Sequence, residues 1–206
     1  LNINDAMFDA IILGNINSSG AYNGEYLLVD EVVSLHKNNK IFGKGKIPFD
    51  FNISSIDLGR FFKNDSINFL AEGNLEELSF LSPYISDLDS LKGDISISLN
   101  LNGPMSNIHK SGNVSIANGT AYTLLLNKPI VNIYGIAQME KNNLVIEKLV
   151  GSIYNNENIK SSKENTNVTG SIDFTQFFNP SYEIGIKSKN ASFKTLYLDI
   201  SGQSNF

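Results

Sequence analysis

Few residues of this chain have the chemistry of a catalyst or a metal ligand. The sequence contains two histidines, His36 and His109, and no cysteine, so a zinc site would have to add carboxylates to these two imidazoles. Each histidine has a lysine beside it in a turn-like segment. Such a position is more typical of a solvated surface side chain than of a general base or a ligand. We therefore expect neither histidine to be functional.

Carboxylates are the other candidates, and four of them stand close together: Glu76, Glu77, Asp87 and Asp89. Paired carboxylates could serve in acid–base catalysis or bind calcium. The spacing of the neighbouring leucines, however, predicts a helix over 75–91, split at Pro83, with these carboxylates on its solvent face. The chain also has no phosphate-binding glycine loop and no Gly-x-Ser-x-Gly elbow. The sequence therefore predicts neither an enzyme nor a cofactor or metal site.

The elements that would position any site are β-strands with one apolar and one polar face. Residues 94–102 alternate strictly between polar and aliphatic side chains, which is the period of a half-buried strand. Asn23-Gly24 and Asn118-Gly119 predict two-residue hairpin turns. The tripeptide Lys-Asn-Asn occurs at 37–39 and at 141–143, where we expect the paired asparagines to take the left-handed conformation of a tight turn.

Glycines open the alternating segments along the whole chain, at Gly14, Gly45, Gly73, Gly93, Gly112, Gly151 and Gly170. Their irregular spacing is unlike a solenoid and favours a meander of long antiparallel strands that the glycines allow to coil. We predict a mainly β fold, a long antiparallel curled sheet with short helices near 54–62 and 75–91. The chain is expected to form one elongated unit over 1–206, or sub-units 1–74 and 93–206 separated by the helical segment.

The charge and amino-acid composition of the chain limit which classes of molecule it could bind. A formal charge of -5, with 41% hydrophobic and 18% charged residues, is typical of a folded globular protein. Scattered lysines on a negative chain argue against binding of nucleic acid. No apolar run approaches the roughly 20 residues that a membrane-spanning helix needs. Because the sequence begins at Leu1, we expect it to be a piece of a longer chain whose targeting signals lie outside it.

Several consecutive segments resemble the TamB-like branch of the AsmA-like proteins of diderm bacteria. The resemblance rests on a leucine-rich preface ending at Gly93, on the run GDISISLNLNGP that follows, and on Gly112–Gly119 with its terminal Asn-Gly. It continues through three later segments, Leu144–Gly151, Gly170–Phe174 and Pro180–Leu198. The resemblance implies a β-taco, which is a long antiparallel sheet curled into a U with an open hydrophobic groove inside and a polar outside.

The same resemblance implies a function. The chain would be a segment of a periplasmic protein, anchored in the inner membrane, that shields phospholipid acyl chains between the two membranes and supports outer-membrane biogenesis. A BamA-like outer-membrane protein is the implied partner of the full-length chain. We expect the alternating apolar residues of several strands to line the groove, namely Ile47, Phe49, Phe51, Ile95, Ile97, Leu99, Leu101, Val114, Ile116, Ile172, Phe174, Ile184 and Ile186.

Two other functions fit the same alternation. A closed β-sandwich would use the aliphatic face as a sealed core and would suit a glycan-binding or protein-binding module of a surface protein. Its candidate aromatic platforms are Tyr22, Tyr26, Tyr122 and Tyr134. An extended scaffold that docks partners through exposed strand edges is the third hypothesis. Periodicity alone does not separate an open groove from a closed core.

Overall fold

The computed structural model of the chain describes residues 1–8, 11–51, 65–78, 88–124, 126, 128–153, 164–175, 180–194 and 199–205. These residues form twelve β-strands: β1 (Asn2–Phe8), β2 (Ile11–Tyr22), β3 (Tyr26–His36), β4 (Asn39–Pro48), β5 (Ser66–Glu77), β6 (Leu88–Pro104), β7 (His109–Thr123), β8 (Ile130–Glu140), β9 (Asn143–Ser152), β10 (Thr166–Asp173), β11 (Ser181–Lys194) and β12 (Asp199–Asn205). The prediction of a mainly β protein is confirmed for this part of the chain.

The strands form one antiparallel sheet in which each strand hydrogen-bonds to its neighbours in chain order. Among the described strands, β1 and β12 stand at the two ends of this order and the sheet does not close. The alternation predicted for β6 is present, since Ile95 is buried while Asp94 and Ser96 on either side are exposed. The meander topology predicted from the short turns is therefore confirmed.

The helix predicted over 75–91 is absent at both of its described ends. Leu75–Glu77 finish strand β5, and Leu88–Leu91 begin strand β6. The three-residue spacing of Leu88 and Leu91 is typical of a helix, but both residues lie in a strand and both pack against the same apolar neighbours. Packing within the sheet therefore overrides the helical period of the sequence. Residues 79–87 lie outside the described residues, as does the other predicted helix near 54–62.

Short turns connect the strands where turn chemistry predicted them. At the β2–β3 hairpin the Asn23 side-chain oxygen accepts the N–H groups of Glu25 and Tyr26 at 3.1 and 2.7 Å. The two Lys-Asn-Asn segments form matching two-residue turns, closed by the pairs His36↔Asn39 and Glu140↔Asn143. The residues at positive φ are Lys37 and Lys141, so the left-handed position belongs to each lysine and not, as predicted, to the asparagines.

The Asn118-Gly119 hairpin prediction is wrong. Both residues lie inside strand β7, where Asn118 has a φ of 53° and forms a local irregularity rather than a turn. The Asn118 side-chain amide donates to Asp94 on the adjacent strand at 2.7 Å. Gly119 packs closely under Ile116 and Ile133. The left-handed conformation of Asn118 and the missing side chain of Gly119 therefore serve contacts between strands here, and not a hairpin turn.

Glycines allow neighbouring strands to approach more closely than a side chain would permit. Gly112 and Gly170 have φ values of 153° and 142°, in a region that is essentially closed to other residues. A Cβ atom at Gly112 would lie 2.0 Å from the Ser98 carbonyl oxygen, and one at Gly170 would lie 2.0 Å from that of Glu183. Glycines at such close approaches allow neighbouring strands to coil.

The chain divides into two compact units. The first contains Leu1–Asn74 with Ile97–Gly112, and the second contains Leu75–Ser96 with Asn113–Phe206. In the first unit Ile67 and Pro48 are buried. In the second unit the described buried hydrophobic residues include a packed cluster of Ala121, Ile130, Ile133 and Ile153.

Candidate functional site

An apolar cavity of about 260 Å³ lies within the second unit. Among the residues that the structure describes, its lining consists of leucine, isoleucine, valine, alanine and glycine. For comparison, a hydrocarbon-lined cavity of roughly 150 Å³ in a protein stays free of water and takes up benzene. A cavity of this size and lining therefore has room for an apolar ligand and offers water no hydrogen-bonding partner.

The cavity is lined by consecutive strands of one sheet. Strands β6 to β11 each contribute lining residues, from Ile95 on β6 to Ile184 on β11. In a flat sheet, strands five positions apart would be separated by roughly 24 Å. A lining shared by all six strands therefore favours a sheet that bends within the second unit, with these apolar residues on the inner face.

Part of the cavity lining belongs to a packed cluster of aliphatic side chains. Ile130, Ile133 and Ala121 line the cavity and are buried, and Ile153 in the same cluster is only 1% exposed. Further aliphatic residues pack against this cluster: Leu88, Leu91, Ile116, Leu126 and Leu149. The Leu78 N–H donates to the Leu91 carbonyl at 2.8 Å, which fixes the chain beside the cluster. We call these residues the aliphatic cluster.

A polar clamp around Asn165 joins neighbouring strand ends beside the aliphatic cluster. The Ile153 N–H donates to Asn165 Oδ1 at 2.8 Å, and Asn165 Nδ2 donates to the Ile153 carbonyl at 2.6 Å. The Asn165 backbone also accepts the Lys189 N–H at 2.8 Å. The buried hydroxyls of Thr166 and Ser188 bond each other at 2.8 Å. Chain segments adjoining β9, β10 and β11 are thereby joined beside Ile153.

A row of paired residues beside the β8–β9 turn continues the face that carries the cavity lining. The register pairs Tyr182 with Ile172, Ile172 with Leu144, and Leu144 with Met139. Directly opposed residues of antiparallel strands share a face, so this row lies on the same face as the lining residues Leu144 and Ile172. Tyr182 is 44% exposed, while Leu144 and Ile172 are half-buried.

The structure brings five of the thirteen predicted groove residues to the cavity: Ile95, Val114, Ile116, Ile172 and Ile184. Two others of the second unit lie beyond its lining. Ile186 pairs with the lining residue Val168, and Phe174 follows β10, where its N–H donates to the Asn142 carbonyl at 2.7 Å. Both are half-buried.

The remaining six predicted residues belong to the first unit: Ile47, Phe49, Phe51, Ile97, Leu99 and Leu101. All but Phe51 are half-buried. Phe51 is 50% exposed and packs edge-to-face on Phe49 and on Tyr22, with ring centroids 4.8 and 4.7 Å apart. These aromatic side chains cluster beside the β2–β3 turn. They do not line the cavity of the second unit.

The sequence did not single out the lining residues of β8 and β9. Strand β8 departs from strict alternation because its register with β9 shifts between Val131 and Tyr134 and again between Ile136 and Ala137. Asn132, at a φ of 53°, lies within the first shift. Inward residues such as Ile130 and Ile133 are consequently three positions apart. A search for spacings of three between apolar residues around asparagine would have found this signal.

The candidate tyrosine platforms have local partners. The Tyr22 hydroxyl donates to the Gly24 carbonyl at 2.7 Å, and the Tyr134 hydroxyl bonds Glu164. Lysine ammonium groups lie over two of the rings, Lys46 at 4.8 Å from the Tyr26 centroid and Lys148 at 4.8 Å from that of Tyr134. The fourth tyrosine, Tyr122, is exposed.

Titratable residues form no assembled centre in the part of the chain that the structure describes. His109 is exposed and His36 half-buried, and the described residues hold no group of three or more histidine or acidic side chains suited to a metal. Within the same residues, no helix has the length and hydropathy needed to cross a membrane.

Comparisons of the chain with protein-family models, with curated proteins and with solved structures find no match.

Proposed function

We propose that the second unit binds the acyl chain of a lipid in its apolar cavity. The observation that supports this most directly is the lining, which is hydrocarbon throughout and is drawn from the inner faces of six consecutive strands. Such a lining has no hydrogen-bonding group with which to recognise a sugar or a peptide. It matches a ligand that is itself a hydrocarbon.

The energetics suit a protein that carries lipids. Each methylene group transferred from water to the cavity contributes about 0.8 kcal/mol, so even a partly inserted chain is held firmly against loss to water. Transfer from a bilayer to the cavity exchanges one hydrocarbon surrounding for another and gains almost nothing. A chain can therefore leave the protein for a membrane without crossing a deep energy minimum.

The wider role that we propose follows the family resemblance. The chain would be a segment of a periplasmic protein, anchored in the inner membrane of a diderm bacterium, that shields phospholipid acyl chains on their way to the outer membrane. A BamA-like outer-membrane protein would be a partner of the full-length chain.

The test is mass spectrometry of an organic extract from the purified protein, compared between two variants. Ile184→Asp places a carboxylate in the cavity, and burial of a charge in hydrocarbon is strongly unfavourable. Leu124→Asp makes a similar change at a residue that is 73% exposed. Circular dichroism and thermal unfolding report on the fold of each variant.

We expect lipid in the extract of the wild-type protein and of Leu124→Asp, and at least ~10-fold less in that of Ile184→Asp. A wild-type protein that yields no lipid and takes up none from phospholipid vesicles would contradict the proposal. Recovery of a bound glycan without lipid would favour the module of a surface protein instead.

A further inference from the structure

We infer that Asn23, in the turn between β2 and β3, is a site of spontaneous deamidation in the folded protein, whereas the other Asn-Gly pairs of the chain are protected by the strands that contain them. The site lies in the first unit, and this inference is independent of the proposed function.

The reaction is a ring closure within the chain. A base from solvent removes the amide proton of the glycine, and the glycine nitrogen bonds to Cγ of the asparagine side chain. The Cγ–Nδ2 bond then breaks, and Nδ2 leaves as ammonia after it takes a proton from water. A second water molecule opens the five-membered succinimide at one of its two carbonyls, which leaves either aspartate or isoaspartate.

Three Asn-Gly pairs occur in the sequence, at 23–24, 102–103 and 118–119. Glycine on the carboxyl side favours the reaction because no Cβ obstructs the approach of its nitrogen to the asparagine side chain. The three pairs are therefore alike in local chemistry. Differences between their rates in the folded protein must come from the structure around each of them.

The attacking nitrogen at the β2–β3 turn is unhindered. Asn23 and Gly24 are exposed and lie outside the strands. Among the described residues, the Gly24 N–H has no hydrogen-bond partner, and no described atom lies within 4 Å of the place that a Cβ of Gly24 would take. The Gly24 nitrogen can therefore move toward the Asn23 side chain without the loss of a hydrogen bond of the sheet.

Two backbone groups of the same turn activate the carbon that is attacked. Asn23 Oδ1 accepts the N–H groups of Glu25 and Tyr26 at 3.1 and 2.7 Å. Attack on Cγ gives this oxygen a negative charge, and donors that already point at it stabilise the charge as it develops. The folded turn therefore favours the reaction at Asn23 and does not merely permit it.

The two other Asn-Gly pairs lie within strands. The Asn118 Nδ2 group, which would have to leave, donates to Asp94 at 2.7 Å. Gly119 is buried, and a Cβ there would lie 2.6 Å from the Ile116 side chain. Asn102-Gly103 belongs to β6. Ring closure at either pair requires local opening of a strand, which costs more free energy than movement of a loop tip.

The experiment follows the three pairs by peptide mass spectrometry while the whole protein is kept at mildly alkaline pH, once folded and once in urea. Replacement of an amide by a carboxylate gives each peptide a characteristic gain in mass. We expect Asn23 to deamidate at least ~10-fold faster than Asn102 and Asn118 in the folded protein, and the three to react at similar rates in urea. Equal rates in the folded protein would overturn the inference. Slower reaction of Asn23 in the folded protein than in urea would also overturn it.

A matched variant assigns the modified residue. Asn23→Asp keeps an acceptor oxygen for the N–H groups of the turn but has no amide to lose. The peptide that contains residue 23 should therefore gain no mass in this variant, while the peptides of Asn102 and Asn118 behave as in the wild-type protein. A mass gain that persists in the first peptide would place the reaction at another asparagine and overturn the assignment to Asn23.

Discussion

At the scale of single residues, one polar side chain and one glycine fix how neighbouring strands of the second unit meet. Asn165 joins the segments beside Ile153 and Lys189 through its side chain and backbone. Gly170 allows β10 and β11 to approach so closely that a Cβ would lie 2.0 Å from the Glu183 oxygen. Neither role follows from alternation of hydrophobicity, because each depends on which strand becomes the neighbour.

Replacement of Asn165 by alanine should destabilise the second unit. The substitution removes both side-chain hydrogen bonds to the backbone of Ile153. Ile153 is 1% exposed, so its N–H and carbonyl would lose these partners in a buried place. Each unsatisfied group costs about 1–3 kcal/mol, so we expect a loss of roughly 2–4 kcal/mol in the free energy of unfolding, measured by urea denaturation. Asn167→Ala, at an exposed position of β10, should change it little. Equal effects of the two variants would show that the clamp does not stabilise the unit.

Replacement of Gly170 by alanine tests the close approach of the strands. A Cβ there would collide with the backbone of Glu183, at a φ of 142° that alanine avoids, so the strain should be at least ~1–3 kcal/mol. Gly24→Ala separates the steric collision from the backbone strain, because Gly24 has a positive φ of 100° but no atom within 4 Å of the added Cβ. We expect a larger fall in the urea midpoint for Gly170→Ala than for Gly24→Ala, and the reverse order would contradict the steric explanation.

At the scale of the element, local patterns predicted strands and tight turns well and failed where packing across strands decides. The alternation of β6 and the turns at Asn23-Gly24 and the two Lys-Asn-Asn segments were predictable, since they depend on neighbouring residues only. The hairpin at Asn118-Gly119 was predicted wrongly, and so were the two described ends of the helix over 75–91, which are strand. In these segments the deciding contacts join residues that are far apart in sequence, such as Asn118 with Asp94.

The β8–β9 turn offers a prediction at this scale. Lys141 has a φ of 59°, a left-handed conformation that costs a non-glycine residue roughly 1–2 kcal/mol. Lys141→Gly should therefore raise the free energy of unfolding by about 0.5–1 kcal/mol, after allowance for the greater flexibility of glycine in the unfolded chain. Lys187→Gly, inside strand β11, should lower it by a similar amount. Thermal unfolding of the two variants compares them, and destabilisation by Lys141→Gly would contradict this account of the turn.

At the scale of the whole molecule, the sequence predicted the antiparallel meander, while the lipid groove stays a prediction. Ile95, Val114, Ile116, Ile172 and Ile184 were singled out because each lies in an alternating segment, and all five line the cavity. Ile130 and Ile133 of β8 were not singled out, because register shifts within β8 bring residues three positions apart to the same face. Which strands curve around a common space is a property of the complete sheet, and no single segment of sequence contains it.

The measurement that tests the central claim most directly is a crystal structure of the protein grown with a fatty acid that carries bromine at mid-chain. The account predicts an anomalous bromine peak inside the second unit, between the inner faces of β6 and β9, with the hydrocarbon lining in contact with the chain. A cavity filled by its own side chains, or a bromine peak found only outside it, would contradict the proposal that this curved sheet holds an acyl chain.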